Sequence, residues 1–452
     1  MSTLTRSLAH VKAHLAEVCP DRLIRSACRD VGHHWRERQL GPVVTTYLLL
    51  DQVLQGNPAV GELRRRSRLD FSDSAYCQAR QRLPLAVLHA LHRASTGRSH
   101  AALADDRTSR WKGHRVYLID GSSFSMPDNE ELQETFGQPG GQRAGCGFPV
   151  AHLLARFDVH AGYLLQAAIA PLRTHDLSQV LSMHRDLRPS DLLVGDRAFC
   201  SYAHLALLHQ RQLHGLFRAH QKLIIDFRCR RPHATPDTPS DQAKGLPRSR
   251  WLKRLGKDDQ LVEYFKPSAR PSWLSEEAYR QLPDTLVVRE LRYRVRIPGR
   301  RTQVVTLVTT LLNPQRYSAR ALAKLYGLRW RVETDLALLK QTLGLDVLRC
   351  QTVPGVVKEL LAFLIIYNLV RRVMHEAAQR QKVEPTRISF IDAWRWLRYA
   401  RPGEPLPRLR INPLRPGRVE PRVRKRRPKQ YPLMTRPRTQ LRQELVDPKV
   451  KT

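Results

Sequence analysis

The segment from Tyr326 to Lys340 carries polar side chains at helical spacing, and their types suit phosphate and metal chemistry. At about 100° per residue, four of them share a stripe roughly 60° wide: Tyr326, Arg329, Glu333 and Lys340. A carboxylate flanked by two cations and a phenol can bind a divalent metal ion and a phosphate group together. A row of surface ion pairs at i,i+4 spacing explains the same pattern, and the spacing alone leaves both interpretations open.

Two neighbours in this segment refine the prediction. Asp335 falls on the opposite side of the helix from the stripe, so Glu333 is the better candidate for a metal ligand. Trp330 borders the stripe, where an indole ring can stack on a nucleobase.

Two aspartates stand at the ends of short apolar runs that read as strands. Asp120 ends the run from Val116, and Asp196 ends the run from Asp191. A rigid strand fixes a carboxylate in place, although a single aspartate there most often only forms a turn. Three further aspartates compete for the same role: Asp128, Asp158 and Asp226.

Two strand carboxylates and one helix carboxylate form a set of hard oxygen ligands. Mg²⁺ or Mn²⁺ prefers such ligands and keeps positions open for phosphate and water. Asp120, Asp196 and Glu333 therefore predict a site for two such ions. Their chemistry would be activation of a water or 3′-hydroxyl and stabilisation of the leaving oxygen.

The chain resembles the DDE transposases of the insertion-sequence-four family in several segments. The family signature is Tyr, two residues, Arg, three residues, Glu, six residues and Lys, and Tyr326–Lys340 meets it in full. The other matching segments are Val116–Ser123, Leu193–Phe199, Gly147–Pro149 and Arg427–Leu433. Ala337 departs from the pattern, because some members have a second basic residue there.

The resemblance implies a ribonuclease-H-like α/β core, interrupted by a β-strand-rich insertion and preceded by a helical N-terminal domain. It assigns the catalytic, metal-binding triad to Asp120, Asp196 and Glu333. The remaining site residues would contact the DNA: Tyr326, Arg329, Trp330, Lys340 and Arg197. The family's reaction is hydrolytic nicking at inverted repeats, followed by attack of the freed 3′-hydroxyl on target DNA.

The elements that must position these residues divide the chain into five parts. The predicted order is a helical DNA-binding domain, the first part of the core, the insertion, the second part of the core with the catalytic helix, and a basic, disordered tail. Their bounds are 1–110, 111–225, 226–301, 302–400 and 401–452. A single long helix is predicted over Ala319–Leu343, and another over Val356–Gln379.

A helix–turn–helix pattern is visible near residues 60–83. The predicted helices are Val60–Arg66 and Ser74–Leu83, with Ser72 or Asp73 as the N-cap of the second. Four polar residues around the second helix suit groove reading: Ser74, Gln78, Arg80 and Arg82. An ordinary helical pair with a solvated face fits equally well.

Charge indicates the partner. The 452 residues carry 77 Lys and Arg against 41 Asp and Glu, a formal net charge of +36. Such a chain favours a polyanionic partner, most simply nucleic acid. The resemblance implies that this partner is double-stranded DNA, namely transposon ends and target. Its longest apolar run, Leu360–Val370, is too short to cross a bilayer, so we expect a cytoplasmic protein that is not associated with a membrane. The resemblance implies a bacterial protein that acts on the nucleoid.

Three functions remain open at this point. The first is an active transposase that works as a homodimer on paired DNA ends. The second is a metal-dependent nuclease of the same fold without strand transfer. The third is a DNA-binding relic that has lost catalysis, against which the intact triad argues.

Overall fold

The structure, a computed structural model, describes residues 19–67, 69–105, 109–140, 143–295, 302–346, 348–400, 404–414 and 434–446. The tail segment 427–433, one of those that resemble the family, lies outside these ranges.

Helices alone form the N-terminal part. They are α1 (Asp21–Asp30), α2 (Pro42–Leu54), α3 (Val60–Ser67), α4 (Asp73–Arg82) and α5 (Leu85–Asp105). Pro42 begins α2 at the position where a missing N–H costs nothing. Ser72 is the N-cap of α4, as predicted, and its hydroxyl accepts a hydrogen bond from the Ala75 amide.

Ten strands within the described residues form one sheet. They are β1 (Arg110–Trp111), β2 (His114–Ser125), β3 (Val150–Asp158), β4 (Leu164–Pro171), β5 (Leu192–Gly195), β6 (His214–Arg218), β7 (Ser249–Gly256), β8 (Asp259–Phe265), β9 (Thr285–Val295) and β10 (Gln303–Thr309). The order is β4-β3-β2-β5-β6-β10-β9-β8-β7, with β1 paired to β2. Only the β2–β5 and β5–β6 pairs are parallel, and the other pairs among these strands are antiparallel.

The remaining helices follow or flank the strands. They are α6 (Glu130–Phe136), α7 (Asp176–Met183), α8 (Tyr202–Gln210), α9 (Glu276–Arg280), α10 (Ala319–Gly327), α11 (Trp330–Ala337), α12 (Val353–Gln381), α13 (Phe390–Tyr399) and α14 (Arg438–Val446). Val116 and Leu118 of β2 share one apolar core with α12, whereas Tyr117 and Ile119 face a second core with α7 and α8. Alternate residues of β2 therefore serve opposite faces of the sheet.

Helix α12 is the central helix of the first core. By length and composition it is the one helix in the described ranges that could cross a membrane, but 78% of its most apolar window is buried inside the protein. It packs against α2, α5 and α13, which is the position of a core helix.

Two predicted elements differ from the structure. The single helix predicted over Ala319–Leu343 is two helices, α10 and α11, followed by a π-helical turn at Leu338–Thr342. The predicted disordered tail contains α14, which packs on the core: Arg438 Nε lies 2.9 Å from Asp128 Oδ2, and its guanidinium covers the Phe148 ring. That ion pair and ring contact hold α14 in place.

Candidate active site

Asp120 and Asp196 lie side by side on neighbouring parallel strands. The β2–β5 pairing ends at Ile119 opposite Gly195, so each aspartate is the next residue after the last matched pair. Asp120 does not end its strand as predicted, because β2 continues to Ser125 along β3. The parallel pairing of β2 with β5 stops just before Asp120 and Asp196. The two strands are therefore not hydrogen-bonded to each other beside these carboxylates.

Backbone amides orient both side chains. The Gly121 N–H donates to Asp120 Oδ1 at 2.9 Å, and the Ala198 N–H donates to Asp196 Oδ1 at 2.8 Å. Asp196 thereby caps the short 3₁₀ turn Arg197–Phe199. One oxygen of each carboxylate thus accepts a hydrogen bond from a backbone amide one or two residues further along the chain, and the second oxygen remains for other partners.

Glu333 comes to the same place from α11, through Arg329. The Arg329 guanidinium lies between two carboxylates, with Nη1 3.3 Å from Asp120 Oδ2 and Nη2 2.9 Å from Glu333 Oε1. Burial opposes the charge on Arg329, but Tyr326 and the two carboxylates outweigh it and raise the pKa of the guanidinium. The helix and the sheet are therefore joined at the site by one cation.

The three carboxylates influence one another electrostatically. Burial raises the pKa of Asp120 from 3.8 to about 6, against the opposing effects of the Gly121 N–H and Arg329. The negative charges of Asp196 and Glu333 raise this pKa further. A cluster with this property favours added positive charge, because a cation relieves both the desolvation and the mutual repulsion.

We expect Asp120→Asn to stabilise the metal-free protein, relative to wild type, more at about pH 8 than at about pH 4. The folded-state pKa is raised, so the stabilisation from the bound proton is complete below about pH 4 and is lost as the pH rises through about 6. Urea unfolding of both proteins at the two pH values, with chelator present, measures the difference. An equal difference in unfolding free energy between the two proteins at both pH values would contradict the raised pKa of Asp120.

The other predicted DNA-contact residues surround the three carboxylates. Trp330 is 56% exposed, and the Arg329 guanidinium lies 5.1 Å from its ring centre. Arg197 is exposed next to Asp196 and donates to Gln221 Oε1 at 3.1 Å. Tyr326, in contrast, is buried, and burial raises its pKa to about 12.

Lys340 reaches back to the strand that carries Asp120. Its Nζ donates to the Ser123 carbonyl oxygen at 2.7 Å and to Ser122 Oγ at 3.4 Å, and lies 3.6 Å from Asp346 Oδ1. The π-helical turn that carries Lys340 differs from the ideal helix assumed in the sequence analysis. The lysine still lies beside β2, two residues beyond Asp120.

The three competing aspartates have other partners. Asp128 pairs with Arg438, and Asp226 pairs with Arg228 at 2.8 Å. Asp158 is buried in the β3–β4 turn, where its Oδ1 accepts from the Ala161 N–H at 2.6 Å. These contacts assign each of them a structural role.

Sequence reasoning missed Arg218, the last residue of β6. The β5–β6 pairing ends at Gly195 opposite Phe217, so Arg218 follows that pair as Asp196 does. The side chain is exposed. Burial raises the pKa values of Tyr326 and Tyr293, and the positive charge of Arg218 opposes this rise. The signal was present in the sequence, because a charged residue at the end of an apolar strand had already selected Asp196.

The donor set suits Mg²⁺ or Mn²⁺ in its chemistry, because all of its ligand atoms are carboxylate oxygens. In the part of the chain that the structure describes, no three Asp, Glu, His or Cys side chains are close enough to hold a metal ion as they stand. A cation already lies between Asp120 and Glu333, namely the Arg329 guanidinium. These residues therefore fit a metal ion once Arg329 releases at least one of them.

Comparison with known proteins identifies the family of the chain. A family model described as the transposase DDE domain matches residues 111–369, which include all three carboxylates. The transposase InsG for insertion sequence element IS4, from Escherichia coli (strain K12), is 25% identical over 404 residues, 85% of this chain and 81% of InsG.

The chain is also similar to a cryo-EM structure of the piggyBac transposase synaptic complex with hairpin DNA. The match covers 87% of this chain and 79% of the piggyBac chain, with a TM-score of 0.44 and 11% sequence identity. The match of the family model extends over more than half of the chain and agrees with the resemblance seen in the signature of Tyr326–Lys340. The chain belongs to the family of DDE-domain transposases.

Proposed function

We propose that this transposase binds the terminal inverted repeats of an insertion sequence, cleaves DNA there and transfers the freed strand, using Asp120, Asp196 and Glu333. One observation carries the proposal: Arg329 joins Glu333 to Asp120, and Asp120 follows the same strand pair as Asp196. Three carboxylates from distant parts of the chain meet at one open edge of the sheet. The proposed core is ribonuclease-H-like, which the order β4-β3-β2-β5-β6 supports.

Asp120, Asp196 and Glu333 would hold two Mg²⁺ or Mn²⁺ ions, whose chemistry is to lower the pKa of a bound water or hydroxyl and to stabilise the leaving oxygen. In the first reaction, water attacks the phosphorus, the bond to the 3′-oxygen breaks, and a 3′-hydroxyl is released. In the second, this hydroxyl attacks a target phosphodiester and displaces another 3′-hydroxyl.

The protein side chains bind and orient the phosphates in this scheme. Arg329 exchanges its carboxylate partners for phosphate oxygens, while Arg197 and Arg218 extend the positive edge beyond Asp196. Trp330 offers an exposed ring to a base. Tyr326 is buried behind Arg329 and supports the guanidinium, a role closer to positioning than to phosphate contact.

The N-terminal helices would recognise the repeats. Ser74, Gln78 and Arg82 are exposed on α4, whereas Arg80 is buried and cannot read a base. Arg64–Arg66 of α3 are exposed beside them and suit backbone phosphates. We propose further that two copies pair on two DNA ends, and that the protein acts in the bacterial cytoplasm on the nucleoid.

Arg218→Gln is expected to lower the cleavage rate about ten- to hundredfold, the loss of one charge-assisted phosphate contact. Unfolding stability should stay unchanged, because the side chain is exposed. Single-turnover cleavage at saturating protein gives the rate. Arg211→Gln is the matched control, since Arg211 precedes the opposite end of β6; an equal loss in both variants would mean that general charge, not position, matters.

The test of the proposed function is cleavage of DNA that carries the gene's own flanking sequences, with Mg²⁺ and with chelator. Metal-dependent cuts at defined ends, followed by joining to a target plasmid, support the transposase. Cuts without joining favour the nuclease. Binding without cuts, even with Mn²⁺, indicates the inactive relic.

A further inference from the structure

The helix pair α3–α4 is fastened to the catalytic core. Arg80 of α4 is buried, with Nη1 3.2 Å from Gln52 Oε1 of α2 and Nη2 2.6 Å from Cys350 Sγ. Cys350 lies in the segment that leads from the catalytic helix into α12. The buried guanidinium thus joins the candidate reading helix to the chain that follows Glu333.

A second contact fixes the C-terminal end of α4. Lys358 of α12 is only 5% exposed, and its Nζ donates to the carbonyl oxygens of Arg80 at 2.9 Å and Gln81 at 3.0 Å. The last carbonyls of a helix carry partial negative charge and lack partners within the helix. The central core helix therefore caps the candidate reading helix directly.

A third contact fixes the turn between α2 and α3. Asn57 Nδ2 donates to Glu359 Oε1 at 2.6 Å, and Arg349 Nε donates to the Asn57 carbonyl oxygen at 2.6 Å. Glu359 also accepts from the backbone amides of Arg349 and Cys350. Both ends of the α3–α4 pair are thus held by buried polar bonds, whose loss leaves charged groups without partners.

The face of α4 that remains free is polar. Ser74, Gln78, Gln81 and Arg82 are exposed, next to the three arginines of α3. A DNA segment read by this face is held in a fixed position relative to the three carboxylates, because no flexible linker separates the two in the described residues.

We propose that the α3–α4 pair works as a ruler, which fixes the number of base pairs between the sequence it reads and the bond that is cleaved. This inference rests on the proposed function. One inserted base pair moves the next phosphate by about 3.4 Å and rotates it by about 35°. Catalysis tolerates misplacement of only about 0.5 Å.

The first test changes the DNA and measures cleavage by the wild-type protein. Footprints of wild type and Gln78→Ala identify the base pairs that α4 contacts, and one base pair is then inserted between them and the cleaved end. We expect binding to change less than about twofold, cleavage at the original bond to fall at least tenfold, and residual cuts to shift by one nucleotide. Unchanged cleavage at the original bond would overturn the ruler. Cleavage of the unaltered end in the same assay tests the proposed function separately.

The second test removes the hydrogen bonds between Lys358 and the C-terminal carbonyls of α4. Lys358→Met keeps the aliphatic stem but removes the cap from α4. The ratio of cleavage at the original bond in the DNA with the insertion to cleavage of the unaltered DNA should therefore be at least threefold higher in this variant than in wild type. Lys382→Met removes the same charge at the other end of α12, about 35 Å away, and should leave the spacing requirement intact. A spacing requirement as strict in Lys358→Met as in wild type, with the variant folded by circular dichroism, would contradict the assigned role of Lys358.

Discussion

Glu333→Gln is expected to reduce DNA cleavage on the order of a thousandfold, about 4 kcal/mol in the barrier, while DNA binding changes less than about twofold. Gln has nearly the same volume but lacks the negative charge that a divalent ion needs. The substitution also removes one partner of Arg329, which keeps Asp120 at 3.3 Å and remains in place. Single-turnover cleavage and a binding isotherm on the same end fragment measure the two quantities.

Stability separates a catalytic role from a structural one for Glu333. Its side chain is 44% exposed, so the loss of its ion pair with Arg329 should change the unfolding free energy by less than about 1 kcal/mol. Glu376→Gln is the matched control, because Glu376 is 47% exposed, close to the 44% of Glu333, and forms an i,i+4 pair with Arg380 on α12. Parallel losses of binding, cleavage and stability in Glu333→Gln would show that Glu333 is structural.

The periodicity of Tyr326–Lys340 predicted that Arg329 and Glu333 are neighbours, but it did not predict where the helix breaks. Arg329 and Glu333 are one turn apart and bond as expected, since four residues in sequence are neighbours on any helix. The break after Gly327 and the π-helical turn at Lys340 were not predicted, because the apolar positions continue through both. Gly327 was the available signal, as glycine weakens a helix interior.

Strand pairing could not be predicted from local sequence patterns. The apolar runs that end at Asp120 and Asp196 correctly located parts of β2 and β5. That β5 pairs with β2 depends on packing between segments some 75 residues apart, so Asp120 and Asp196 could be chosen only as candidates. Their rivals Asp128 and Asp158 were excluded by contacts with Arg438 and Ala161, which no spacing rule reveals.

The sequence also could not predict which arginines are buried. Composition predicted that arginines would be exposed for contact with DNA, and several are exposed, including Arg82 and Arg197. Arg80, Arg156, Arg289 and Arg371 are instead almost fully buried. Each is held by specific carboxylate, carbonyl, thiol or aromatic partners from distant elements, and a net charge of +36 cannot distinguish them from exposed arginines.

Asp335→Ala is expected to lower the unfolding free energy by about 3–5 kcal/mol, although Asp335 lies only two residues from Glu333. Its carboxylate bonds to the Arg371 guanidinium of α12, and the two side chains are 9% and 3% exposed. Arg371 also packs against Gly162 so closely that a Cβ there would lie 2.8 Å from the guanidinium carbon. The arginine cannot turn toward solvent, so removal of Asp335 leaves a buried charge without its counterion.

Urea unfolding measures this loss, and the double variant Asp335→Leu with Arg371→Met provides the control. A buried ion pair replaced by apolar side chains of similar volume is often as stable as the original, so the double variant should recover most of the loss. An equal loss in both variants would mean that the shape of the site, not the unpaired charge, sets the cost. Because this pair anchors α11 on α12, recovery of stability in the double variant should bring back cleavage as well. Asp335 thus holds the helix that carries Glu333. Asp335→Ala is therefore expected to lose stability, whereas Glu333→Gln is expected to keep its fold and lose cleavage.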